Sequence, residues 1–154
     1  MAQPDSLSLV AEIEVKTSAD HFYDTLKGKK QHRVHDVAPD HIHKVEVHEG
    51  EWEKSGTVKE ITFAVGDTVE TLKERVEFDD ENKMITYFIL EGDMMKYYKS
   101  YKVILHVLPK DKHSLVKWTL LYEKVDDSAP EPTKYKDLLV KLTKNIEAHL
   151  VAAY

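Results

Sequence analysis

The chain has 154 residues, with 22 Lys and Arg against 28 Asp and Glu, hence a formal net charge of −6. With 42% apolar and 32% charged residues, five glycines and five prolines, it reads as a single soluble globular domain over 1–154, which excludes disordered, collagen-like and linker-rich chains. Cysteine is absent, which removes disulfide scaffolds, Cys-ligated zinc, iron–sulfur clusters and thiol nucleophiles, and the acidic balance argues against duplex nucleic acid as the main partner.

The opening stretch MAQPDSLSLVAEIEV lacks the basic-then-apolar order of a secretory signal. The longest uncharged apolar run, MITYFIL at 84–90, is too short to span a bilayer, so no membrane insertion is expected and the cytoplasm is the expected address.

Residues 6–16 alternate. Leu7, Leu9, Ala11, Ile13 and Val15 share one face and Ser6, Ser8, Glu12 and Glu14 the other, the pattern of a half-buried strand. Ser18 then serves as an N-cap for a short helix, ADHFYDTLKG, ending near Gly28. KKQHRVHDVA, 29–38, reads as a second short helix stopped before Pro39. From residue 41 the pattern returns to strands: HIHKVEVHE, TVKEITFAV, TVETLKERVEF, KMITYFILE, MKYYKSYKVILHVL and SLVKWTLLYEKV. Turn signals at 50–56, Gly66-Asp67, 79–82, Gly92-Asp93 and 109–113 separate them, and gaps this short make antiparallel hairpins. The strand at 68–78 alternates poorly and its inner face does not read out. Beyond Pro130 and Pro132, Tyr135, Leu138, Leu139, Leu142, Ile146, Leu150 and Ala153 recur at steps of three and four, the apolar stripe of one long helix. The fold class is α+β: a seven-stranded curved antiparallel sheet wrapped around a long C-terminal helix, with two short helices between strands 1 and 2.

That layout implies a hollow. Seven strands at about 4.8 Å span roughly 34 Å, whereas one helix is only about 10–12 Å across. The sheet must curl around the helix to cover its apolar face. Alternation turns Ile61, Phe63, Ile85, Tyr87, Ile89, Tyr97, Tyr101, Val103, Leu105, Trp118, Leu120 and Tyr122 inward. A wall this rich in tyrosine fits a partly hydrated pocket for an amphipathic molecule, or a packed core with its polar tips at the rim.

VHEGEWEKSGTVKEITF, DDENKMITYFILEGDMMKYYKSYKVIL, LVKWTLLYEKVDDSAPEP and LTKNIEAHL, in this order and spacing, resemble the plant major latex protein group of the birch-pollen-allergen superfamily, built on the START-like helix-grip fold. The resemblance implies a cytosolic plant protein with an internal cavity for small apolar or amphipathic ligands and an association with defence and stress responses. It also implies that a few relatives act as enzymes of specialised metabolism. The family's glycine-rich loop falls on Gly50 to Gly56, but with Glu51, Glu53 and Lys54 inside it. Phosphate binding there is discounted in favour of a solvent-exposed hairpin, and no GK[ST] follows. The SGLPA gate and HRL latch of the hormone-receptor branch are both missing, which lowers a receptor role.

Other chemistry is thinly represented. His32 and His35 lie at i, i+3, and His41 and His43 two apart on a strand, spacings that suit Zn²⁺ or Cu²⁺. Solvated histidines are the simpler reading, and no metal or cofactor is expected. The basic run 27–35 reads as a charged helix face. Lys59, on the face of Ile61 and Phe63, and Lys99, between Tyr97 and Tyr101, are the candidates for a lysine in an apolar pocket. Tyr87, Tyr101 and Tyr122 are candidate hydrogen-bond donors to a guest. No GxSxG, HExxH or Rossmann fingerprint occurs, and the acidic run at 79–82 reads as a solvated hairpin tip.

The expected ligand-contacting set is Phe22, Ile61, Phe63, Ile85, Tyr87, Ile89, Tyr101, Val103, Trp118, Leu120, Tyr122, Tyr135, Leu139 and Leu142, with no catalytic residue assigned. The expected function is binding and carrying of small hydrophobic or amphipathic plant metabolites by a monomer or weak dimer. A cofactor-independent cyclase or isomerase using the same pocket is the alternative, and a protein-interaction role in stress signalling a third possibility.

Overall fold

The computed structural model describes residues 6–28 and 38–153. The expected second short helix, with His32 and His35, lies outside the described residues except for Ala38, as does most of the basic run. The described elements are β1 (Ser6–Val15), α1 (Ala19–Lys27), β2 (Ile42–Glu49), β3 (Val58–Val65), β4 (Thr68–Asp79), β5 (Met84–Gly92), a 3-10 turn (Asp93–Lys96), β6 (Tyr98–Lys110), β7 (His113–Lys124) and α2 (Thr133–Ala153). The seven strands form one sheet in the order β1-β7-β6-β5-β4-β3-β2. Every neighbouring pair is antiparallel, as the short connections require. Together with α2 they make the helix-grip architecture.

Local chemistry sets the ends of α1. The Ser18 side chain accepts from the His21 N–H, and Gly28, in the left-handed region at φ 101°, donates its N–H to the Asp24 carbonyl. Gly28 is required twice over, because a Cβ there would come within 2.7 Å of the Trp52 ring. Phe22, Tyr23 and Leu26 bury one face of α1. The 79–82 tip does more than sit in solvent: Asp80 accepts from the Tyr23 hydroxyl at 2.7 Å and from the Lys27 ammonium at 2.8 Å, fastening α1 to the β4–β5 hairpin.

β4 explains its own illegibility. Glu70, Leu72, Glu74 and Val76 point to the concave side, and Val69 is 61% exposed on the convex one. Two carboxylates at inner positions and an apolar residue outside erase the alternation that reveals a half-buried strand.

β6 departs from expectation at its start. A strand from residue 95 would turn Tyr97 inward, but Asp93–Lys96 form the 3-10 turn and a register shift follows between Tyr98 and Ser100. One extra residue reverses the side-chain parity. Tyr98 is therefore buried, its hydroxyl donating to the Pro130 carbonyl at 2.7 Å, while Tyr97 and Lys99 are exposed. The expected inward Tyr97 and pocket Lys99 are corrected accordingly.

Packing differs along α2. Ile146 and Leu150 are fully buried, and the Lys16 N–H donates to Glu147 at 2.6 Å. Towards the start of α2, Leu138 and Leu139 are only half-buried, because that half of the helix stands over a void.

Candidate functional site

The void lies between the concave face of β2–β7, the first half of α2 and the C-terminal end of α1. It gives the centre of a water-sized sphere about 140 Å³, roughly ten times what one water molecule needs by that measure. The protein's own rings do not fill it.

Eleven of the fourteen expected contact residues line it: Ile61 and Phe63 from β3, Tyr87 and Ile89 from β5, Tyr101 and Val103 from β6, Trp118 and Leu120 from β7, and Tyr135, Leu139 and Leu142 from α2. Three stand elsewhere. Phe22 and Ile85 are 0% exposed in the core packing beside the void. Tyr122 turns its hydroxyl away to donate to Glu131, which Lys124 also holds at 2.8 Å. Its hydroxyl is thus engaged outside the void.

Aromatic rings build one end. Tyr98, Tyr101 and Tyr135 meet edge to face, with centroids 5.2 Å apart for Tyr98–Tyr101 and 6.1 Å for Tyr101–Tyr135. The Tyr101 hydroxyl is buried without a hydrogen-bond partner among the described residues. Behind this end Glu70 accepts from the Tyr135 hydroxyl at 2.7 Å and from Lys134 at 3.0 Å, so this inner carboxylate is satisfied.

The opposite end is the polar one. Lys59 and Glu74 face each other across the β3–β4 ladder, are 5% and 8% exposed, and both line the void. The Lys59 ammonium lies 4.3 Å from the Trp52 ring centroid. Burial pushes the Glu74 carboxyl up to about 7, against the opposing pull of Lys59. The adjacent Tyr87 phenol is held well above its ordinary value by burial first and by Glu74 second.

A carboxyl whose folded value is raised binds a proton more readily folded than unfolded. Stability therefore falls as pH rises from about 4.5, the unfolded value, to about 7. Glu74→Gln should raise the urea midpoint at pH 8 and leave it little changed at pH 4.5, a comparison that urea titrations at the two pH values check directly.

Lys59 was legible in the sequence, whereas Thr25, Leu26, Gly28, Ile42, Val45, Trp52, Leu72, Glu74, Met94 and Leu138 of the lining were missed. The aromatic ring in an otherwise polar turn at 50–56 was the available signal for Trp52. Nothing local signalled Glu74. Among the described histidines, His41 sits in a turn rather than on β2, and His43 is exposed with Nδ1 3.0 Å from the Pro39 carbonyl, so the expected shared face does not form. Among the described residues, Glu46, His48 and Glu60 do gather on the outer side of β2–β3. Lys44 already holds Glu46 at 2.5 Å there, and the cluster is open to solvent.

A curved sheet gripping a terminal helix over an apolar hollow with few polar groups defines the class of helix-grip small-molecule-binding proteins. A profile described as "Pathogenesis-related protein Bet v 1 family" matches residues 5–153, and the chain belongs to that family. By sequence it is 35% identical to MLP-like protein 43 of Arabidopsis thaliana over 99% of both chains. The crystal structure of ginseng major latex-like protein 151 from Panax ginseng superposes with a TM-score of 0.88 at 32% identity, covering 94% of this chain and 97% of that one. These likenesses put it in the major-latex-like group, whose general role is ligand binding with a link to defence. Norcoclaurine synthase from Thalictrum flavum, in complex with dopamine and hydroxybenzaldehyde, superposes with a TM-score of 0.78 over 97% of this chain and 88% of that one. At 22% identity that likeness is one of fold alone. Among the described residues no helix is long and apolar enough to cross a membrane.

Proposed function

We propose that this chain takes up small apolar or amphipathic molecules reversibly into its internal cavity. It acts as a cytoplasmic carrier in plant defence and stress responses, working as a single domain and as a monomer or weak dimer, without nucleic acid or membrane insertion. The void carries this reading: it is walled mainly by aliphatic and aromatic carbon and left unfilled. Burying apolar area there contributes about 25 cal/mol per Å², and shape and area alone discriminate weakly between similar guests. The eleven lining residues from the expected set are the proposed contacts.

N-phenyl-1-naphthylamine, a neutral apolar dye, tests this. Its fluorescence should rise and shift to the blue on mixing, saturating at one dye per chain with a dissociation constant of about 1–10 μM. A signal that fails to saturate would refute an internal site.

A carboxyl poised near neutrality in the wall, Glu74, favours one second reading, a cofactor-independent cyclase or isomerase acting on an already activated molecule. Incubation with candidate metabolites followed by mass spectrometry separates the two, since a carrier returns its guest unchanged.

A further inference from the structure

An apolar cavity gains nothing from an isolated carboxyl in its wall, and sealing one beneath a guest that offers it no hydrogen bond is costly. Glu74 is 8% exposed and lines the void, and among the described residues no hydrogen bond or ion pair within 4 Å reaches its carboxyl. Its two cross-strand neighbours do not supply one. Ile89 on β5 is apolar, and Lys59 on β3 holds its ammonium against the Trp52 ring. Tyr87, two residues before Ile89 and opposite Val76, shares the inner face. It lines the void, and its hydroxyl likewise has no hydrogen-bond partner among the described residues. The Thr25 hydroxyl, by contrast, already donates to the His21 carbonyl at 3.1 Å.

We propose that Glu74 and Tyr87 form a head-group subsite for a neutral amphipathic alcohol, whose hydroxyl donates to the Glu74 carboxyl and accepts from the Tyr87 phenol while its apolar body lies along Ile61, Val103 and Trp118. This rests on the carrier reading and names the class of guest, and Lys59 keeps the contacts it already has.

Hydrogen-bonding capacity and charge select the guest. A hydroxyl group both donates and accepts, which matches one acceptor beside one donor. A carboxylate guest would set a second anion against an ionised Glu74. An ammonium guest has nothing with which to accept from Tyr87, and it would bring a second cation into the field that Lys59 already casts on Glu74. A hydrocarbon would seal both polar groups away from water unpaired.

The strength of this selection changes with pH. The titratable groups facing Glu74 around the void, among the described residues, are Lys59 from β3, Tyr87 from β5, Tyr101 from β6 and Tyr135 from α2; α1, β2 and β7 contribute none to the lining. Burial holds all three phenols well above their ordinary value, so they stay protonated and neutral from pH 6 to pH 8. Glu74, pushed up to about 7 by burial, titrates within that range. Ionised, it only accepts, and it holds the alcohol by a charge-assisted bond that an ether cannot make. Protonated, it also donates, and an ether oxygen can take that bond.

The test compares 2-(1-naphthyl)ethanol with its methyl ether by calorimetry on the full chain, with N-phenyl-1-naphthylamine as the control. Neither guest titrates between pH 6 and pH 8. The two should bind about equally at pH 6, and the alcohol about tenfold more tightly than the ether at pH 8, following the loss of the Glu74 proton. Glu74→Leu should bring alcohol and ether to equal affinity at both pH values. Tyr87→Phe, which keeps the ring, should weaken both guests about threefold and keep the pH-dependent ratio. The ratio in the unaltered protein tests the subsite even if a variant fails to fold. An alcohol-to-ether ratio that is the same at both pH values, or one that still changes with pH in Glu74→Leu, overturns the subsite. So does failure of both guests where the dye binds, and in each case dye binding leaves the carrier reading standing. If the dye, the ether and the alcohol all fail to bind, the carrier reading itself falls.

Discussion

Trp118→Ala should destabilise the protein by about 3–5 kcal/mol, the range for deleting a large aromatic side chain from a packed interior. Trp118 is 1% exposed and sits opposite Ala11 on β1 and Leu105 on β6, at the middle of the sheet. Its ring stacks on Tyr87 at 6.3 Å. Its Nε1–H donates to the Thr143 hydroxyl at 2.8 Å, and that hydroxyl in turn donates to the Leu139 carbonyl at 2.7 Å. The indole thus braces the sheet against α2 where the void leaves few other contacts between them. Removing it joins new empty space to old, and the wall has little left with which to collapse. Thermal unfolding should drop by roughly 10 °C for a chain of this size. Trp118→Phe, which keeps most of the ring and loses the hydrogen bond, should cost about 1 kcal/mol from that bond plus a smaller packing loss. A fall below about 1 kcal/mol for the alanine variant would show that the wall closes over the gap.

Leu139→Trp should abolish dye binding, by at least about tenfold in dissociation constant, and leave the fold standing. Leu139 is half-buried on the turn of α2 that overhangs the void. An indole there has about 140 Å³ in front of it, so it fills space that a guest would occupy. Overpacking a full core costs about 1–3 kcal/mol, and an existing void lowers that cost. The thermal midpoint should stay within a few degrees of the parent, measured beside the dye titration on the same preparation. Retained dye affinity with an unchanged midpoint would place the guest outside this cavity.

Much of the fold was legible in the chain because hydrophobic period is a local property. The alternation at 6–16 became β1, and the three-and-four stripe after Pro132 became α2. Ser18 and Gly28 marked the ends of α1, where capping chemistry is confined to one turn of chain. The inner faces of β3, β5 and β7 were readable for the same reason, and with them most of the cavity wall. Tyr97 was misplaced because a single bulge residue changes parity, and a bulge leaves no mark on composition. Glu70 and Glu74 hid β4's inner face because each carries a charge where the pattern demands carbon. Glu70 has its answer in Tyr135, 65 positions along the chain, and Glu74 faces Lys59 across a hairpin.

By itself the sequence determined the elements, their antiparallel order and the surplus of sheet width over helix, since these follow from periodicity, turn residues and the fixed dimensions of strands and helices. Only the tertiary structure decided that the surplus stays open, that Phe22, Ile85 and Tyr122 pack outside it, and that Lys59 and Glu74 meet at one end. Whether a ring fills a gap or turns its hydroxyl to a distant carboxylate depends on which residues arrive together from remote parts of the chain, and that proximity exists only once the sheet has closed around the helix.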